Sequence, residues 1–150
     1  MVKGLNHVAL SVADLDRAVE FYCSGLGMQV VEREPFEGAQ YDTILGLDAA
    51  KGRVALLRVG SFQIEIFEFA SPKPVPAPPA RPVCDHGITH FCLDVDAIEA
   101  LCERLRRAGA AFHCDPLHFP GAGRATYVRD PEGNVFELFQ AEVASPGVEQ

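Results

Sequence analysis

Two stretches of the sequence share one pattern of apolar and polar positions. Residues 4–12 and 87–95 both begin with glycine, carry a histidine at the fourth place, and then largely alternate apolar and polar side chains. A period of two predicts a β-strand. An aspartate follows each stretch within two residues and leads into a helical pattern. The similarity of the two segments predicts that the chain contains the same structural unit twice.

A helix with one apolar face is predicted after each of these strands. Asp14 is the expected N-cap of the first helix, which Gly25 and Gly27 are expected to end. Asp96 is the expected N-cap of the second, with Glu99 completing a capping-box pair and Gly109 as its stop. Both helices can bury their apolar face against a sheet.

Three more strands are predicted after each helix, so each half reads β-α-β-β-β. A long loop with a short helical turn near 43–46 is expected between the second and third strands of the first half, and a loop over 117–123 in the second half. The predicted ranges are 5–12, 29–34, 53–59 and 62–69 in the first half, and 88–95, 110–114, 124–129 and 135–141 in the second.

Six prolines between Pro72 and Pro82 predict an extended connector between the halves. The expected organisation is a first module over 1–70, a linker over 71–85, a second module over 86–142 and a tail over 143–150. The fold class is α+β, with two tandem βαβββ modules forming a curved mixed sheet around a metal-binding cavity. The helix of each half should cover the Val and Leu face, which turns the histidine face toward the other half.

Composition narrows the range of functions. A net charge of −8 makes nucleic acid an improbable partner, and 48% hydrophobic residues suit a packed core. The apolar runs are too short to span a membrane, and no signal-peptide pattern opens the chain, so we expect a cytoplasmic protein. The five cysteines contain no CxxC pair, which argues against a thiolate metal site.

A set of four potential metal ligands follows from aligning the halves. Glu65 and Glu137 occupy equivalent places in the last strand of each half, as His7 and His90 do in the first strand. Ionised carboxylates are rarely placed in an apolar strand without a partner. Two imidazoles and two carboxylates suit one divalent cation: Ni, Zn, Co, Mn or Fe.

The sequence resembles the vicinal oxygen chelate superfamily, the group of glyoxalases, bleomycin-resistance proteins and extradiol dioxygenases. The resemblance runs across nearly the whole chain. It rests on the motifs at residues 6–14, 21–27, 64–66, 90–95 and 127–138, the last containing Asp-Pro-Glu-Gly-Asn. It implies paired βαβββ modules, the metal ligands His7, Glu65, His90 and Glu137, and a homodimer.

The resemblance also implies a glyoxalase-like isomerase or lyase with a small-molecule substrate. Such an enzyme acts at the carbon next to a carbonyl through a metal-stabilised enediolate, with Glu65 or Glu137 as ligand, as base or as both. The arginine that glutathione-handling members carry just after the first histidine is absent here. The residues nominated for substrate contact are Tyr41, Phe67, Phe119 and Arg124.

Two alternatives remain open at this point. The first is an extradiol-type ring-cleaving dioxygenase using Fe or Mn. Extradiol dioxygenases carry an acid–base histidine and tyrosine 19 and 10 residues before the metal-binding glutamate, and His118 and Tyr127 stand at those separations from Glu137, so the resemblance implies these roles for them. A metal-free drug-binding resistance protein would use the same cavity for a flat ligand. Glu65 weighs against the oxygenase, since it would fill a position that oxygen chemistry needs open. Retention of all four ligands weighs against the binder.

Overall fold

The chain forms two β-sheets and three helices. The computed structural model describes residues 1–142, and the predicted tail over 143–150 lies outside the described residues. The elements are β1 (Val8–Ser11), α1 (Leu15–Leu26), β2 (Gln29–Glu37), α2 (Ala39–Leu45), β3 (Lys51–Val59), β4 (Phe62–Ser71), β5 (Phe91–Asp94), α3 (Ile98–Arg107), β6 (Ala111–Phe112), β7 (Leu117–Phe119), β8 (Gly123–Arg129) and β9 (Val135–Ala141).

The two sheets repeat one topology. Sheet A has the order β1-β4-β3-β2, and sheet B has the order β5-β9-β8-β6, with the short β7 paired to β8. In each sheet the first strand runs parallel to the last, and the other neighbours are antiparallel. The predicted α+β class with two tandem modules is confirmed, as two mixed sheets.

Helix α1 begins and ends largely as its sequence predicts. The Asp14 carboxylate accepts a hydrogen bond from the Arg17 backbone N–H at 3.0 Å, and Gly27 caps the helix in the left-handed conformation with φ 72°. Gly25 does not end the helix. It lies inside α1, where a Cβ atom would stand 2.8 Å from a methyl group of Leu105, so it allows α3 to approach closely.

The predicted cap of α3 at Asp96 is wrong. Ala97 occupies the N-cap without a side-chain hydrogen bond. The Gln140 side chain of β9 instead accepts from the Ile98 N–H at 2.8 Å. In the first module Glu68 of β4 accepts from the Leu15 N–H, also at 2.8 Å. The last strand of each module therefore caps that module's helix through a tertiary contact.

The first strand of each module is shorter than predicted. β1 and β5 both begin one residue after the histidine, so His7 and His90 precede their strands and do not lie within them. In the predicted loop over 117–123 the structure has strand β7, which pairs with β8. The loop predicted from 35 onward begins later, since β2 continues to Glu37.

One hydrophobic core joins the two modules through their helix-bearing faces. Helices α1 and α3 contact each other. Buried side chains of both sheets meet them in a single cluster that includes Leu57, Ile64, Ile66, Val128, Phe136 and Leu138. The prediction that the histidine faces turn toward each other within the chain is therefore wrong. Each helix covers only part of its own sheet, and the remaining apolar surface is buried against the other module.

A buried hydrogen bond also connects the two modules. The Tyr22 hydroxyl of α1 donates to the Asp130 carboxylate at 2.8 Å, and both side chains are buried. Asp130 also accepts from the backbone N–H groups of Glu132 and Asn134, which closes the turn between β8 and β9. The turn of residues 130–134 in the second module is thus held against helix α1 of the first module. No helix among residues 1–142 has the length and apolar character needed to cross a membrane.

Candidate metal centre

Each module presents one histidine and one glutamate side by side. His7 lies two residues before Ala9, the register partner of Glu65 on the neighbouring strand. Its Nε2 atom is 3.5 Å from a Glu65 carboxylate oxygen. In the second module His90 lies two residues before Cys92, the register partner of Glu137. There the Nε2-to-carboxylate distance is 3.1 Å. The repeat predicted from sequence therefore extends to the geometry of the two pairs.

The residue before each histidine orients its ring. The Asn6 side-chain oxygen lies 2.8 Å from Nδ1 of His7, and Nε2 is the ring nitrogen that faces Glu65. The Thr89 hydroxyl lies 2.8 Å from Nδ1 of His90, so the residue before each histidine contacts the same ring nitrogen. Partners of this kind are typical of metal-binding histidines, because they set the tautomer and the direction of the ring.

The donor atoms of each pair fit a shared divalent cation. Two ligands at about 2.1 Å from a metal stand about 3 Å apart at a right angle and about 3.4 Å apart at a tetrahedral angle. The observed separations of 3.1 and 3.5 Å lie close to this span. The side chains are between 20 and 39% exposed, so the pairs are held by the sheet and are open to a ligand.

The two pairs are not brought together within one chain. No group of three or more histidine, cysteine, aspartate or glutamate side chains in the part of the chain that the structure describes could hold a metal ion. Glu65 and Glu137 alternate along their strands with core residues, so both carboxylates lie on the sheet faces turned away from the shared core. Each chain thus carries two separate His–Glu pairs, which we call the first half-site (His7 and Glu65) and the second half-site (His90 and Glu137).

An aromatic cluster borders the first half-site. Phe67 lies two residues after Glu65 and therefore on the same face of β4. It packs edge-on against Phe36, which also contacts Tyr41 of α2. Burial raises the pKa of Tyr41, and the carboxylates of Glu34 and, further down, Glu65 add to the shift. Two of the nominated substrate contacts, Tyr41 and Phe67, therefore lie beside Glu65.

Tyr127 borders the second half-site. It stands directly opposite Glu137 in the register of β8 and β9, and its ring centroid is 4.6 Å from that of His90. Burial raises the pKa of Tyr127, and the charge of Glu137 and the Cys92 thiol raise it further. The phenol therefore stays protonated at neutral pH and can donate a hydrogen bond.

The structure places His118 and Arg124 away from Glu137. They are paired across β7 and β8 on the face that carries the core residue Val128. Arg124 forms an ion pair with Glu99 of α3, which explains its position. Phe119 pairs with Gly123 and lies on the Glu137 face, but it is 49% exposed at the end of the sheet.

His118 is exposed, and its Nε2 atom is 3.7 Å from a Glu142 carboxylate oxygen. His113 is the histidine that sequence reasoning missed. Its backbone N–H donates to the Tyr127 carbonyl at 3.0 Å, and its ring centroid is 5.8 Å from that of Tyr127. Burial lowers the pKa of His113, as does the charge of Arg129. Only the pairing of β6 with β8 could have revealed this neighbour.

The sequence of residues 4–138 matches the family model described as the glyoxalase/bleomycin resistance protein/dioxygenase superfamily. The chain belongs to this superfamily. It is 32% identical over 155 residues to a 2-epi-5-epi-valiolone epimerase of Actinomyces, covering 97% of this chain and 84% of that protein. It is 26% identical to a probable lactoylglutathione lyase of Vibrio cholerae, covering 95% and 94% of the two chains.

Solved structures of the superfamily share the fold. A glyoxalase family protein from Bacillus cereus superposes with a TM-score of 0.87 at 23% identity, over 95% of this chain and 97% of that one. A variant of the fosfomycin resistance protein FosX from Listeria monocytogenes, complexed with Mn(II) and 1S,2S-dihydroxypropylphosphonic acid, superposes with a TM-score of 0.65 at 17% identity, over 95% and 94%. At these identities the likeness concerns the fold.

Proposed function

We propose that this chain is a metal-dependent isomerase of the epimerase type that moves a proton at the carbon beside a carbonyl group of a small molecule. The observation that carries the proposal is the pair of equivalent half-sites, each with an oriented histidine 3.1 or 3.5 Å from a glutamate. One relative of this chain, 32% identical, is named an epimerase, and another, 26% identical, is named a probable lactoylglutathione lyase, which supports an isomerase or lyase.

We further propose that two chains complete each site. The module-1 face of one chain, with His7 and Glu65, would meet the module-2 face of another, with His90 and Glu137. Apolar side chains are exposed on the module-2 face, including Leu117 at 54% and Phe119 at 49%. Burial of such side chains in a homodimer stabilises the assembly by removing apolar area from water.

The four side chains would hold one divalent cation, for which imidazole and carboxylate oxygen are suitable ligands. The cation, when bound, would supply a Lewis acid that holds two adjacent substrate oxygens and stabilises the negative charge left by proton removal. A FosX structure contains Mn(II), which supports manganese among the five metals to test, the others being Ni, Zn, Co and Fe.

The chain's own residues provide the remaining functions. The Tyr127 phenol, protonated and opposite Glu137, can donate a hydrogen bond to a substrate oxygen. Phe67 and Tyr41 form an aromatic wall beside Glu65 that excludes water from the bound substrate. Glu65 and Glu137 would be ligands of the cation, and a carboxylate of either could accept the substrate proton.

The geometry favours an isomerase over a ring-cleaving dioxygenase. His118, the proposed acid–base residue of the oxygenase, lies on the opposite face of sheet B from Glu137 and beside Glu142. Glu65 is held close to His7 and would occupy a fourth position on the metal. The two histidines, each contacted at Nδ1 by the preceding residue, argue against a metal-free drug-binding protein, because binding of a flat ligand does not require His–Glu pairs.

The test combines metal analysis with proton exchange. The protein is purified after growth with added Mn, Ni, Co, Zn and Fe, and its metal content is measured. Loss of the proton beside the ketone of 2-epi-5-epi-valiolone is then followed by NMR in D2O. We expect one metal per chain, and exchange that stops on chelation and in His7→Ala or His90→Ala. Absence of bound metal together with absence of exchange would refute the proposal, and oxygen uptake with catechol would favour the oxygenase.

A further inference from the structure

A pocket of about 130 Å³ lies between the proline-rich linker of residues 71–85 and the start of strand β9. Its walls include two arginines, Arg81 of the linker and Arg129 of β8, and both are half-buried. One water needs only about 10–15 Å³ of such space, so the pocket has room for a larger polar group.

The pocket adjoins the second half-site on the same face of sheet B. Arg129 pairs with Val135, which lies two positions before Glu137 in β9. Side chains two positions apart in a strand point to the same face, and their Cα atoms are about 7 Å apart. Another wall of the pocket is Thr89, whose hydroxyl contacts Nδ1 of His90. A molecule bound beside His90 and Glu137 can therefore extend into the pocket.

Neither Arg81 nor Arg129 takes part in any of the ion pairs within residues 1–142. The Arg129 guanidinium donates to the carbonyl oxygens of Gly133 and Arg81, at 3.0 and 2.7 Å. The Arg81 guanidinium donates to the carbonyl oxygen of Ile88 at 3.1 Å. These bonds fix the direction of both groups, leave further N–H donors available and do not neutralise the charge. An anion bound between the two groups would remove their mutual repulsion.

The acidic residue that also borders the pocket has partners in the first module. The Glu132 carboxylate accepts from the Ala13 backbone N–H at 3.0 Å and lies 3.9 Å from the Arg17 guanidinium of α1. Because Arg17 balances the charge of Glu132, the two arginines of the pocket keep an excess of positive charge.

A close approach of the linker to the turn before β9 forms the pocket. Gly133 has φ 91°, and a Cβ atom there would stand 2.8 Å from the Cα atom of Pro79. Glycine therefore allows the linker to cross the turn at this distance. The Arg81 backbone N–H donates to the Pro78 carbonyl at 3.0 Å, and this turn brings Arg81 beside Arg129. The linker thus contributes a wall and a charge to the pocket.

The first module carries an arginine at the equivalent position. Arg58 of β3 pairs with Gln63, two positions before Glu65, as Arg129 pairs with Val135. Arg58 is exposed, whereas Arg129 is half-buried beneath the linker. The duplication therefore places an arginine near each glutamate of the half-sites, and the linker encloses the second of these arginines in a pocket.

We propose that this pocket binds a phosphate group of the substrate, with Arg81 and Arg129 as the residues that determine this specificity. The inference rests on the proposed function and names its substrate class, small carbonyl compounds that carry a phosphate monoester. Such a group has a charge of about −1.5 to −2 at neutral pH, which matches two guanidinium groups better than a single carboxylate does. The pocket and the second half-site belong to one chain, so the inference does not depend on how two chains associate.

The first test measures binding of inorganic phosphate to the metal-loaded protein by calorimetry at low ionic strength. We expect one phosphate per chain, with an affinity that falls about 10-fold or more in Arg81→Gln. Arg107→Gln removes the same charge from an exposed position of α3 and should bind phosphate as the wild type does. Arg81→Lys keeps the charge and should lose less affinity, and it replaces the glutamine variant if thermal melts show that variant to be unfolded.

Two results of this titration would overturn the proposal. One is absence of phosphate binding to the wild type. The other is binding that chelation of the metal abolishes and that Arg81→Gln leaves unchanged, because such binding lies at the metal.

The second test compares dihydroxyacetone phosphate with dihydroxyacetone, which differ only in the phosphate group. Exchange of the proton beside the ketone is followed by NMR in D2O. We expect the phosphorylated ketone to have the lower KM, and Arg81→Gln to raise that KM about 10–100-fold with little change in kcat. Exchange of dihydroxyacetone should change far less in this variant. A residue with a merely structural role would depress exchange of both ketones equally.

The outcomes separate this inference from the proposed function. Phosphate binding that depends on Arg81, without a preference for the phosphorylated ketone, would show a site for a free anion and overturn the substrate assignment. Equal exchange of both ketones without phosphate binding would refute the phosphate site and leave the metal-dependent chemistry standing. Binding of metal and phosphate without exchange of any ketone, 2-epi-5-epi-valiolone included, would refute the proposed function and leave the anion site standing.

Discussion

Complementation between two inactive variants should restore the metal site. In His7→Ala the module-1 half of every site is damaged, and in His90→Ala the module-2 half is damaged. If each site combines the module-1 face of one chain with the module-2 face of another, a heterodimer of the two variants has one site with both substitutions. Its other site has none. The two inactive proteins should therefore yield an active one.

The expected magnitude follows from counting sites. A purified heterodimer should show about half of the wild-type activity and bind about one metal per two chains, whereas a random 1:1 mixture should show about a quarter. Each homodimer lacks one of four ligands in every site. Its metal affinity should fall by more than the roughly 10–100-fold that loss of a second-shell partner causes.

The assay is coexpression of the two variants with different affinity tags, followed by sequential purification. Metal content and proton exchange are then measured on the heterodimer. The matched control combines His7→Ala with Glu65→Ala. Both substitutions damage module-1 faces, so every site of that heterodimer has a defect and no activity should return. Absence of rescue in the first pair would refute the shared site. Equal rescue in both pairs would show that the faces do not combine as proposed.

Three further predictions concern stability. Tyr22→Phe removes the hydroxyl that donates to buried Asp130 and should lower the free energy of unfolding by about 1–3 kcal/mol in urea titrations; an unchanged midpoint would contradict this. Gly52→Ala places a Cβ atom 2.0 Å from the backbone oxygen of Glu68 and should cost more than the usual 1–3 kcal/mol of overpacking, or prevent folding. The hydrogen bond from Arg53 lowers the pKa of Glu68. The ionised Glu68 carboxylate therefore contributes fully to the free energy of unfolding at neutral pH, and this contribution is lost as the pH falls through the lowered pKa. Glu68→Gln should therefore weaken the fold at pH 7 and progressively less in acid, as followed by thermal melts across pH.

Local sequence signals predicted the elements whose ends are made by local contacts. Helix α1 begins after Asp14 and stops at Gly27 because both caps act within one turn of the helix. The start of α3 was predicted wrongly, since its cap comes from Gln140, a residue 42 positions away. Strand β7 was missed for a similar reason: it is a three-residue strand defined by its pairing with β8, and three residues are too few to show a period of two.

The same division holds for the candidate site. The repeat in the sequence was sufficient to select one histidine and one glutamate at equivalent positions of each module. The strand registers then place each histidine beside the glutamate of its own module. Sequence separation alone selected His118 as the partner of Tyr127. The register of β6, β7 and β8 decides instead which histidine faces it, and it places His113 there.

By itself, the sequence determined the module and its repeat, and it selected the four residues that we propose as metal ligands. Only the tertiary structure decided how the modules meet. The apolar faces of α1 and α3 and of both sheets are buried most completely against one another, so the helices lie at the centre of the chain. The His–Glu faces are consequently turned outward. The sites that the sequence predicts within one chain are proposed to form between two.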